Sequence, residues 1–145
     1  MRLNGHRVTI RPMARDDLDA MLEWRPFADP LYQAFDFPRR SKAETVRWFD
    51  WRSRDPSRRL YTVEDEEGRV IGSLTLREIN GTESARLGIT LGADFVSQGY
   101  GTEALSVFLE YYFETLGFEE MVLDVAASNL RACLPVPTRS SAFAT

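Results

Sequence analysis

The residues best suited to chemistry in this chain are two glycines, Gly99 and Gly101, which flank Tyr100 in the run SQGYGTEAL, residues 97–105. Beyond them Leu105, Phe108, Leu109, Tyr112 and Leu116 recur at the spacing of a helix with one apolar stripe against a sheet. A glycine turn that opens such a helix leaves several backbone N–H groups unpaired at the positive end of the helix dipole. Phosphate oxygens satisfy both. The dipole contributes only about 0.3–1 kcal/mol at an exposed site. Most of the affinity must therefore come from charge-assisted hydrogen bonds to successive amides, which a phosphate reaches where side chains are absent.

Read literally, GYGTEA also fits the dinucleotide fingerprint G-x-G-x-x-G/A, with Asp124 about the right distance beyond it. In that fold the first glycine comes directly off a strand, whereas GADFVSQ separates Leu91 from Gly99 here. A Walker-type loop is disfavoured because no Lys-Ser/Thr follows. A plain packing role, with the glycines permitting tight helix-to-strand contact, stays open.

The elements that must position this turn follow from period and punctuation. HRVTIRPM alternates and ends at Pro12, as an edge strand does. ARDDLDAMLEWR has Leu18, Met21 and Leu22 at helical spacing, with Asp16 or Asp17 available as a cap and Pro26 as a stop. Residues 26–40 hold three prolines and four aromatics without a period, the composition of a structured loop that lines a cleft. Ser41 with Glu44 three positions on is a capping box for a second helix. RLYTVED, RVIGSLTLRE and SARLGITL read as an antiparallel meander turning at Glu67-Gly68 and Asn80-Gly81. Gly117 stops the long helix, and MVLDV, residues 121–125, must then run parallel to the strand ending near Leu91. The fold class is α/β, a mixed sheet of an antiparallel meander plus one parallel crossover.

At 145 residues the chain fits one domain. Lys plus Arg is 18 against 22 for Asp plus Glu, a formal charge of −4, which argues against a general nucleic-acid binder. Lys42 is the sole lysine, so basic sites here are the planar forks of arginine. The sole cysteine, Cys133, and sole histidine, His6, exclude a disulfide framework and argue against a Cys/His metal site. The N-terminus is charged where a signal peptide needs an apolar core, and no run approaches the ~20 apolar residues of a membrane span. A cytoplasmic protein without membrane partners is expected.

Residues 84–132, from SARLGITL through QGYGTEA to DVAASNLRA, resemble the acetyl-CoA-binding half of the GNAT N-acetyltransferases, especially the RimJ/RimL type. The first half, with VTIRPM, two helices and the meander, matches the same acyl-CoA N-acyltransferase fold less specifically. The resemblance implies a truncated domain over residues 1–132 and acetyl-CoA as cosubstrate. It also implies that the backbone of Ile89, Thr90 and Leu91 pairs with the pantetheine arm like an added strand. The amides of Ser97, Gln98, Gly99, Tyr100, Gly101 and Thr102 would cradle the pyrophosphate, and Asn129 would bind near the pantetheine end. The implied acceptor is a primary amine, at a protein N-terminus or on a small molecule.

Acetyl transfer to an amine needs the amine neutral and the thioester carbonyl polarised, here by a backbone amide near Ile89 to Leu91. An α-amino group costs only about 1 kcal/mol to deprotonate at pH 7, a lysine-like amine roughly 4–5 kcal/mol. A strong base is thus optional for N-terminal substrates. Glu83, at the mouth of the fourth long strand, is the candidate catalytic carboxylate, with Glu78 and Asp36 behind it; each also fits a solvated charge. Glu103 suits a helix cap. Arg52, Arg54, Arg58 and Arg59 could attract the cofactor's 3′-phosphate or form a solvated face.

Residues 133–145 depart from the family: Pro135 and Pro137 forbid a regular helix, and no tyrosine follows Tyr112 to serve as the family's general acid. An irregular tail is expected, with the C-terminal strands missing and MVLDV left as an exposed edge through which two copies could pair. Two readings follow. One is an acetyltransferase whose reading frame changed near Cys133. The other is a catalytically impaired acyl-CoA-binding or self-associating module.

Overall fold

The computed structural model describes residues 1–28, 37, 40–79, 83–124 and 141–144. Seven strands form one sheet, in sequence order from edge to edge. They are β1 (Leu3–Asn4), β2 (Thr9–Pro12), β3 (Arg58–Glu64), β4 (Val70–Glu78), β5 (Ser84–Leu91), β6 (Glu120–Asp124) and β7 (Ser141–Ala144). Helices α1 (Asp17–Glu23) and α2 (Lys42–Ser53) separate β2 from β3, and α3 (Tyr100–Glu114) separates β5 from β6. β1 to β5 pair antiparallel, and β6 lies parallel to β5 in the register Ser84–Glu120 through Gly88–Asp124. β1 is an addition to the expected strands. The Asn80-Gly81 turn, Asp36, Asn129 and Cys133 lie outside the described residues.

Two cores cover the two faces of the sheet. Phe108, Leu109 and Tyr112 of α3 are buried with Ile10, Val63, Leu74 and Leu87, and Tyr112 stacks on Phe118 at 4.6 Å between ring centroids. Burial pushes the Tyr112 phenol up to about 12, and its hydroxyl donates to the Glu120 carbonyl just after the Gly117 turn. Gly117 holds a φ of 76°, the left-handed conformation that ends helices. On the other face Met13, Leu18, Met21, Trp24 and Phe37 pack with Val46 and Phe49 of α2 and with Leu60 of β3. α2 opens on Ser41, whose hydroxyl oxygen accepts the Glu44 amide at 3.1 Å.

The end of the chain corrects the expected irregular tail. Residues 141–144 form β7, which pairs parallel with β6 from Met121–Ser141 to Asp124–Ala144. A C-terminal strand is therefore present, and β6 is not an open edge. The two prolines at 135 and 137 exclude a ladder only where they stand, and Ser141–Ala144 contains none.

Asp17 departs from a simple cap. Its carboxylate takes both guanidinium nitrogens of Arg11, at 2.8 and 2.7 Å, and also accepts the Thr62 hydroxyl and the Ala14 amide, each at 2.8 Å. This ties α1 to β2 and β3. Burial alone would raise the carboxyl's pKa, but the Arg11 fork and the other donors outweigh it and hold the group below its ordinary value. A depressed folded-state pKa stabilises above the unfolded value of about 3.9 and loses that stability as pH falls through the folded value. Asp17→Asn is expected to cost about 2–4 kcal/mol at pH 7, with the gap to the parent protein closing below about pH 4. Urea denaturation across pH measures it, and a pH-independent gap would contradict the assignment.

Candidate active site

The last three residues of β5 are bonded on one flank: Ile89, Thr90 and Leu91 stand opposite Leu74, Ser73 and Gly72 of β4. Among the described residues the other flank carries no partner strand beyond Gly88–Asp124. Gly72 permits the close pairing, because a Cβ there would lie 2.8 Å from the Thr90 carbonyl oxygen and 2.7 Å from a Leu91 methyl carbon.

The chain then turns through a short 3₁₀ segment, Ala93–Phe95, into α3. Ser97 holds a φ of 61° and Gly99 one of 87°. A left-handed serine is strained backbone, of the kind that concentrates at ligand loops. Gly99 is the N-cap of α3, and no side chain caps it. The first amide to return to the helix is that of Glu103, which donates to the Gly99 carbonyl at 3.1 Å. The amides of Tyr100, Gly101 and Thr102 thus precede the ladder. A Cβ on Gly101 would lie 3.2 Å from a Leu91 methyl carbon, so the turn rests on the end of β5. The two segments singled out from sequence, 89–91 and 97–102, meet at that contact.

Residues that sequence reasoning missed hold the turn from behind. The Arg7 guanidinium donates to the Gln98 carbonyl at 2.5 Å and lies 4.3 Å above the Tyr100 ring. The Tyr100 hydroxyl donates to Glu66 at 2.6 Å, which raises the phenol's pKa and lowers that of the carboxyl. Glu103 turns away from its own helix end and accepts the Arg7 and Val8 amides at 2.6 and 2.9 Å. Its role is to fasten α3 to the start of β2 rather than to cap α3. Nothing local in the sequence marks these partners, since they stand more than ninety residues apart in the Arg7 and Glu103 case.

Glu83 is exposed and precedes β5. Its carbonyl accepts the Glu119 and Glu120 amides, each at 3.0 Å. At about 3.3 Å per residue it lies roughly 20 Å from Ile89 along the strand. The structure does not bring it to the 97–102 turn. Glu78, at the same end of the sheet, faces Arg59 at 3.9 Å.

On the face covered by α2, a cavity of about 290 Å³ is lined by Arg52, Arg58, Arg77 and Arg86, with Thr75 and Gly88. Of the arginines singled out from sequence, Arg52 and Arg58 enter it and Arg54 and Arg59 do not. Burial disfavours the Arg52 cation, and the charges of Arg58, Arg40 and Arg77 push its pKa down further.

Against known proteins, the acetyltransferase (GNAT) domain model matches residues 7–133. The chain is 27% identical over 130 residues to the spermidine N(1)-acetyltransferase of Escherichia coli (strain K12), covering 89% of this chain and 69% of that protein. It is 26% identical over 127 residues to the Vibrio cholerae (serotype O1) enzyme of the same name, covering 87% and 73%. The crystal structure of Vibrio cholerae spermidine N-acetyltransferase in complex with CoA and spermine superposes with a TM-score of 0.74 at 25% identity, over 90% of this chain and 78% of that one. The RimJ/RimL type and a protein N-terminus as acceptor find no support in these relatives. The chain belongs to the GNAT acetyltransferase family, whose members draw their acetyl group from acetyl-CoA.

Proposed function

We infer that this chain moves the acetyl group of acetyl-CoA to the primary amine of a small molecule, with its cofactor held by main chain. The observation that carries the reading is the junction of two backbone surfaces at Leu91 and Gly101. Ile89, Thr90 and Leu91 offer the amide chain of pantetheine a strand flank that has no partner strand among the described residues. The amides of Ser97 through Thr102 face the pyrophosphate at the head of α3. Asn129, outside the described residues, completes the proposed cofactor set.

In the reaction the amine nitrogen attacks the thioester carbonyl carbon, the C–S bond breaks, and the amine's proton ends on the CoA thiol. A thiolate of pKa about 8.5 gains only roughly 2 kcal/mol from protonation at pH 7, so water can supply that proton at modest cost when no tyrosine does. The amine's own deprotonation, roughly 4–5 kcal/mol for a lysine-like group, is the larger demand. Glu83, roughly 20 Å from Ile89 along β5, does not reach an amine placed at Ile89 by direct contact. Spermidine belongs in the panel of acceptors to be tested, since the relatives are named for it. Assembly with further copies belongs to the same reading, because one solved relative is a dodecamer; β6 is not its route, being covered by β7.

Calorimetric titration with CoA, alongside thiol release from acetyl-CoA with a panel of amines, tests the assignment. Binding and turnover support it, binding without turnover favours a non-catalytic acyl-CoA module, and silence in both assays removes the cofactor claim. Gly101→Val is expected to weaken CoA binding by about 100-fold or more, the equivalent of one or two charge-assisted hydrogen bonds, with the circular dichroism spectrum retained. Unchanged affinity would contradict the cradle. Glu103→Gln loosens the turn's rear anchor and is expected to cost about 1–2 kcal/mol in urea denaturation and several-fold in CoA affinity. A variant that matches the parent on both counts would show that this clamp does not position the turn.

A further inference from the structure

Three arginines stand in one lateral row across the sheet. Arg58 of β3 is opposite Arg77 of β4, and Arg77 is opposite Arg86 of β5. Arg52 reaches the same cleft from α2. Like charges directly opposite on neighbouring strands destabilise a sheet, so this row has a cost that a bound anion would offset. Asp55 answers Arg58 at 3.2 Å. The Arg52 Nε, by contrast, is buried and has no hydrogen-bond partner among the described residues.

The row also lies on the way to the transfer site. Its neighbour toward the end of β5 is the row Leu60, Thr75 and Gly88. Gly88 keeps that row open, since a Cβ there would stand 3.0 Å from the Thr75 hydroxyl oxygen. Thr90 shares the face two residues further on, about 13 Å from Arg86 along the strand, a gap that long arginine side chains can shorten.

The geometry points to an anion subsite for the acceptor: the amine that accepts the acetyl group carries a carboxylate or phosphoryl group at its far end, held by the arginines of this cleft. The inference rests on the acetyl-transfer reading above for its kinetic consequences. It separates this chain from a polyamine enzyme, because the far ammonium of a polyamine would meet guanidinium groups. Arginine forks match carboxylate and phosphoryl oxygens two at a time, which makes the cleft selective rather than merely positive.

Three acceptors of equal chain length test it: 5-aminopentanoate, pentylamine and 1,5-diaminopentane, ending in an anion, a methyl group and a cation. The expected order of kcat/KM is anion, then neutral, then cation. Arg77→Gln is expected to shrink the preference for 5-aminopentanoate over pentylamine by roughly 10- to 100-fold, mainly through KM. Arg77 is exposed, so the variant should fold. 4-Aminobutylphosphonate in place of the carboxylate tells a phosphoryl group from a carboxyl group as the favoured anion. Equal rates for anion and neutral, or a preference for the diamine, would overturn the subsite. CoA titration is run separately and reports on the cofactor reading. If no amine is acetylated, calorimetric titration of 5-aminopentanoate into the protein decides instead: heat that Arg77→Gln removes supports the subsite, and none at millimolar concentration overturns it.

Discussion

The proposed cofactor site depends on one close approach, that of the head of α3 to the end of β5. Gly101 rests against Leu91, and Gly72 of β4 lets the same residues of β5 come within contact of its own backbone. A side chain at Gly72 would strike the Thr90 carbonyl oxygen, and one at Gly101 would press on a Leu91 methyl group. The consequence is an exposed run of peptide groups that can hydrogen-bond a ligand, where a side-chain-lined site would offer only a few atoms. A backbone site tolerates wide sequence change around it, which fits a family match across residues 7–133 alongside identities near one quarter.

Such a turn must be rigid, because amides that reorganise on binding lose part of what they contribute. The contacts that brace the turn come from the start of the chain and from Glu66. Arg7 bonds the Gln98 carbonyl and covers the Tyr100 ring, Glu66 takes the Tyr100 hydroxyl, and Glu103 closes on the Arg7 and Val8 amides. The first strands of the chain thereby brace its central helix. The Arg11–Asp17–Thr62 cluster does the same for α1 on the opposite face.

Charge is distributed against the average. The chain carries a formal −4, yet arginines gather in the cleft beside Gly88. Net charge bore on partner class; the local field of the cleft follows from strand register. Arg58, Arg77 and Arg86 become neighbours only when β3, β4 and β5 pair as they do.

The sequence by itself determined what is local or periodic. The capping box at Ser41, the apolar stripe from Leu105 to Tyr112, the stop at Gly117 and the glycine turn all rest on interactions within a few residues, where side-chain type and spacing dictate geometry. The parallel placement of β6 followed too, because a helix-length crossover allows little else. Tertiary structure decided what depends on long-range pairing. Glu83 looked usable as a carboxylate near the long strand, but strand length puts it at the wrong end of β5. Residues 141–144 read as irregular because four residues carry no period, and only an available sheet edge makes them β7. The arginine row was invisible for the same physical reason: alternation tells which face a residue takes, while its lateral neighbours are chosen by the register of another strand.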